Sequence, residues 1–202
     1  MFTMADDVRI TCGGILMFGE QGKQEGCNSL VIGADKAGPG SALFVRSVDF
    51  SVSKGISIGG IAAGSMQLQK NSSLEWNDVL EVGAKGLLCV VFEKVEIRGR
   101  SMILNGTLEI QFHTPEAIQK LFKAERPLIG LSDSLQMSGA ATVRIKLVSG
   151  ADSAPLPAGE YFLISGKTTP GDLPRVEIEG GDPGQQLSLN AAPDGLFLVV
   201  YP

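Results

Sequence analysis

Apolar and polar residues alternate along several stretches of this chain. In "LFVRSVDFSVS", Phe44, Val48, Phe50 and Val52 fall on one side of an extended chain, with Ser47, Asp49 and Ser51 on the other. A period of two is the mark of a strand with one buried face. "TVRIKLV" repeats it, setting Val143, Ile145 and Leu147 against Arg144 and Lys146, and "RVEIEG" does so again with Val176 and Ile178. "LLCVVFEKVEI" and "GLFLVVYP" are more continuously apolar, as strands covered on both faces are.

Turn residues punctuate these runs. Asn105-Gly106 between "SMIL" and "TLEIQF" predicts a hairpin, because both residues tolerate positive φ. "RGR" at 98–100 predicts a second reversal, and "GADSAPLPAGE" at 150–160 a longer loop. The β/α alternation of a doubly wound fold is missing. Strands about ten residues apart with turns between them predict an all-β fold, specifically a jelly-roll-like β-sandwich. "GISIGGIAAGS" interrupts a strand-like segment with Gly59, Gly60 and Gly64, which suits a bulge, a close backbone approach or a packed subunit contact.

One segment reads differently. In "FHTPEAIQKLFKAERP", Thr114 can cap a helix, Pro115 has the φ of a first helical residue, and Glu116 complements the helix dipole. Ala117, Ile118, Leu121 and Phe122 make one apolar face, and Pro127 ends the run. One short helix near residues 115–125, inserted into a single domain spanning 1–202, is the expectation. An internal division near 113–135 is the alternative.

Composition narrows the function. The 202 residues are 44% apolar and 19% charged, with 26 glycines and 10 prolines, which suits a folded chain that turns often. The net charge is −5 and no Lys/Arg run occurs, so general nucleic-acid binding is not expected. The N-terminus "MFTMADDVRITCGG" lacks the basic and apolar regions of a secretory signal, and no apolar run reaches the ~20 residues of a spanning helix. Synthesis in the cytosol is therefore the expectation. Cys12, Cys27 and Cys89 lack CxxC spacing and read as buried thiols, with a Cys12–Cys27 disulfide as the alternative.

Candidate chemistry is sparse. His113, the single histidine, lies at a strand–helix corner with no cluster of ligands or nucleophile motif around it in sequence. Cys89 sits in an apolar strand, where burial makes a thiol inert. The glycine-rich segment lacks a Walker lysine, and the pairs Glu93/Glu96 and Glu177/Glu179 read as solvent-facing strand charges. No catalytic, cofactor-binding or metal-binding residue is nominated, and an enzyme is not expected.

What remains is a low-charge, small-residue-rich β protein with a mean hydropathy of +0.17. That profile suits surfaces buried by assembly. The expected function is a structural, self-assembling subunit, in its narrower form a jelly-roll coat (capsid) protein located in the virion. Its partners would be further copies of itself and other coat subunits, with Arg98, Arg100 and Lys146 as nucleic-acid-facing candidates. The alternative is a soluble, non-enzymatic ligand- or carbohydrate-binding β module with Trp76 as its platform.

Overall fold

A computed structural model describes residues 7–10, 15–18, 22–27, 29–33, 41–46, 48–92, 94–113, 117, 126–148, 156–169, 172–180 and 184–202. The chain winds through successive coils. The first comprises β1 (Asp7–Ile10), β2 (Ile15–Phe18) and β3 (Gly22–Cys27), and the second β4 (Ser29–Ile32), β5 (Ser41–Val45) and β6 (Val48–Val52). The third uses β7 (Ile56–Ile58), β8 (Gly64–Leu68) and the start of the long strand β9 (Ser73–Val82). β9 turns the corner into the fourth coil, which adds β10 (Gly86–Val91) and the start of β11 (Glu96–Leu104). The fifth continues through β11, β12 (Thr107–Phe112) and β13 (Ile129–Leu131), and the sixth through β14 (Ser134–Met137), β15 (Thr142–Leu147) and β16 (Gly159–Ser165). β17 (Lys167–Thr168) and β18 (Arg175–Glu179) begin a last coil, followed by β19 (Leu187–Ala192) and β20 (Gly195–Val200).

Strands pair with their equivalents in the neighbouring coils. The first face stacks β1, β4, β7, the end of β9, the end of β11, β14 and β17. The second stacks β2, β5, β8, β10, β12, β15 and β18. The third stacks β3, β6, the start of β9, the start of β11, β13 and β16. All of these pairs are parallel. β19 and β20 form an antiparallel hairpin that extends the third face through the pairing of β20 with β16. The architecture is a three-faced parallel β-helix.

The all-β expectation is met, but a jelly-roll sandwich, which needs antiparallel strands, is not what the pairing shows. Asn105-Gly106 does not make a hairpin: β11 and β12 lie in different sheets, and the two residues turn a corner between faces. "RGR" lies inside β11, where the register with β9 shifts between Gly99 and Ser101. "LFVRSVDFSVS" contains two strands rather than one, so Leu43 and Val45 are buried in β5 and Phe50 and Val52 in β6, while Phe44 is half-buried. The expected helix near 115–125 lies outside the described residues except for Ala117, which is helical and buried. Strand pairing crosses the 113–135 segment, since β12 pairs with β15 and β11 with β13.

The core follows from this winding. Alternate residues of each strand point into the coil, and like residues stack from rung to rung at about 4.8 Å. One column runs Ile32, Ile58, Val82, Leu104. A second runs Leu43, Met66, Leu88, Leu108, Val143, and a third Phe50, Leu74, Ile97, Ile129, Ile164. All of these side chains are buried, and each contributes about 1.5–3 kcal/mol relative to exposure.

Glycines build the corner between the first and second faces. The N–H groups of Gly59, Gly83, Asn105 and Ser138 donate to the carbonyls of Ile32, Ile58, Val82 and Leu104, so the ladder continues around the bend. There the coils touch backbone to backbone: a Cβ on Gly86 would lie 2.2 Å from the Ile58 carbonyl oxygen, and one on Gly106 2.2 Å from that of Gly83. Within "GISIGGIAAGS", Gly59 and Gly64 serve such a close approach, with a Cβ 2.2 Å from the Gly86 nitrogen and 2.5 Å from the Ile32 carbonyl oxygen respectively, whereas Gly60 does not.

Candidate functional site

The outward side chains of the second and third faces carry most of the described polar chemistry. On the second face, strand register places Cys89, Glu109, Arg144 and Glu177 in one row across β10, β12, β15 and β18. Glu109 is 6% exposed. It accepts hydrogen bonds from Gln111 Nε2 at 2.6 Å and Arg144 Nη1 at 3.3 Å, and the Cys89 thiol donates to it at 3.6 Å. Arg144 also donates to Glu177 through Nε and Nη2, at 3.2 and 3.1 Å. Desolvation works against the Arg144 cation, but its bonds to Glu177 and Glu109 outweigh that, and its pKa lies above the ordinary arginine value.

Burial pushes the Cys89 thiol far above its ordinary pKa, and the neighbouring Glu109 carboxylate adds to the effect. The thiolate is the nucleophilic and metal-binding form, and this environment disfavours it. Cys89 is a free, buried cysteine, as its apolar strand suggests; the side chains of Cys12 and Cys27 lie outside the described residues. The row is a satisfied network that braces four strands. Truncating Glu109 strands its donors, so Glu109→Ala is expected to cost about 1–3 kcal/mol in denaturant unfolding. Glu96→Ala, at an exposed ion pair, should cost under about 1 kcal/mol. Equal midpoints for the two variants would deny Glu109 a stabilising role.

The third face carries a cleft of about 830 Å³. Ser51, Glu75, Arg98 and Gly130 make one outward row across β6, β9, β11 and β13, and Arg126, Pro127 and Leu128 wall it where the chain returns to β13. Arg98 turns to Glu96 at 2.8 Å, and Arg100 to Asp133 at 3.6 Å. Exposed Glu75 and Arg126 have no ion-pair or hydrogen-bond partner among the described residues. A Cβ on Gly130 would come no closer than 3.8 Å to a neighbouring atom, so its missing side chain leaves open space in the cleft.

The residues singled out from sequence do not converge. Arg98 and Arg100 lie on β11, whereas Lys146 projects from the second face and pairs with Glu179 at 2.6 Å. Each of the three cations already has a carboxylate partner. Trp76 is not an exposed platform: it is 1% exposed, in an inward row between Val52 and Gly99, and its indole N–H donates to the Ser101 carbonyl at 2.9 Å. Gly99 makes room for it, since a Cβ there would lie 2.0 Å from the indole ring.

His113 is exposed just beyond β12. No group of three His, Cys, Asp or Glu side chains that could hold a metal occurs among the described residues. Glu177 and Glu179 are ion-paired strand charges, as their alternation suggests; Glu93 lies outside the described residues, as do 150–155 of the 150–160 loop. Among the described residues, no helix is long and apolar enough to cross a membrane. Glu75, Glu109, Arg126 and Gly130 were not marked by sequence, because only the register between coils brings them beside their neighbours. Compared with protein-family models, curated proteins and solved structures, the chain matches none.

Proposed function

We propose that this protein is a structural, self-assembling β-helical subunit rather than an enzyme. The observation that carries the reading is one-sided strand pairing at both ends of the described stack. β1, β2 and β3 each pair on one side only among the described residues, with β4, β5 and β6 respectively. Strands paired on one side leave N–H and C=O groups free to template further strands. At the other end β17, β18 and β19 likewise pair on one side only among the described residues, with β14, β15 and β20 respectively. The buried network around Glu109 is fully engaged in bracing strands, in keeping with a structural role.

A coat-forming particle is the narrower form of this proposal. It rests on assembly alone, since a jelly roll is not what the strands form and the three cations offered for genome contact are already ion-paired. Size-exclusion chromatography with light scattering tests the broader form. Species above the 21.2 kDa chain mass, growing with concentration, are expected, and closed shells in negative stain would be the sign of a coat. A monomer at every concentration would overturn the proposal.

A further inference from the structure

Among the described residues, the cleft on the third face holds one unmatched acid and one unmatched base, and from this we propose that it is a binding site for a short zwitterionic peptide with an apolar centre. Among its charged lining residues, Glu96 is taken up by Arg98, and Arg100 by Asp133. Glu75 and Arg126 are left facing the same space. A ligand complementary to that arrangement carries an ammonium group at the Glu75 end and a carboxylate at the Arg126 end. Arginine suits the second role because its planar guanidinium presents two parallel N–H donors to a carboxylate.

Strand spacing gives the length. Glu75 lies on β9, and Gly130 on β13, the strand that Arg126 leads into, is two rungs away, which makes the row roughly 10 Å long at about 4.8 Å per rung. An extended chain covers that distance in about three residues at ~3.3 Å each. The same cleft is lined by the half-buried side chains of Phe92, Val95 and Pro127, which favours an apolar central residue. Gly130 supplies the space beneath it. The volume is in the usual range for small-ligand pockets, roughly 300–1,000 Å³.

The tripeptide Gly-Phe-Gly with free ends is the probe, titrated by calorimetry against the full chain. Millimolar or tighter binding is expected, weakened about three- to tenfold by N-acetylation and by C-amidation separately. In Glu75→Gln the acetylation effect should vanish while the amidation effect stays, and in Arg126→Gln the reverse should hold. Gly130→Phe should occupy the floor of the cleft beneath the central residue and weaken binding at least about tenfold. If that variant melts early, the two exposed charge variants carry the test alone. No binding at millimolar peptide, or end effects that persist unchanged in both charge variants, would overturn the proposal. So would full binding by a folded Gly130→Phe protein. Oligomeric state does not enter these readouts, so failure here leaves the assembly proposal standing, and the reverse.

Discussion

Gly59→Ala is expected to lower unfolding free energy by about 2–4 kcal/mol, while the same change one residue later costs almost nothing. Gly59 has φ +68°, a left-handed conformation that L side chains rarely adopt, and a Cβ there would lie 2.2 Å from the Gly86 nitrogen of the next coil. Strain of this kind costs about 1–3 kcal/mol by itself, and the clash adds to it because backbone cannot rotate away as a side chain can. The Gly59 N–H, bonded to the Ile32 carbonyl at 2.8 Å, moves with it. Gly60 is exposed, and the nearest atom to a Cβ there is the flexible Ser57 hydroxyl at 3.4 Å. Gly60→Ala should therefore fall within about 0.5 kcal/mol of wild type. Urea midpoints of the two variants decide the matter, and similar values would mean that this corner does not hold neighbouring coils in contact.

Trp76→Ala is expected to cost about 3–5 kcal/mol, the usual range for removing a large buried aromatic. The variant opens a cavity between Val52 and Gly99 and leaves the Ser101 carbonyl without its indole donor. Trp76→Phe keeps part of the volume and loses the hydrogen bond, for about 1–3 kcal/mol. An exposed platform would show the opposite pattern, with stability nearly unchanged and only ligand affinity reduced. Thermal melting of the two variants separates these cases directly.

Strand content was legible from local pattern, because a buried side in a β-helix obeys the same alternation as a buried side in a sandwich. "TVRIKLV" shows it plainly: Val143, Ile145 and Leu147 are buried and Arg144 and Lys146 project outward, as the period of two requires. Partner choice was not legible. Asn105-Gly106 has hairpin chemistry, yet the chain turns there by only a corner, and Leu104 pairs with Val82 one coil earlier. The repeat is not legible in the sequence because the coils differ in length: the column Ile32, Ile58, Val82, Leu104, Met137 advances by 26, 24, 22 and then 33 residues. The cleft was hidden for the same reason. Glu75, Arg98 and Gly130 are far apart in sequence and become neighbours only through register. Trp76 misled because its polar flanks, Glu75 and Asn77, belong to the outer surface of the strand whose inner surface it occupies.

The stacking of like residues in columns has a consequence for how order is lost. Each coil rests chiefly on the two beside it, so cooperativity passes along the axis as it does in a row of coupled spins. Damage at one rung weakens its neighbours first and distant rungs least. The antiparallel β19–β20 hairpin acts on such a row as a boundary condition: it ties one end of the third face with strands of opposite direction, so fraying there must first break a register that the rest of the chain does not share.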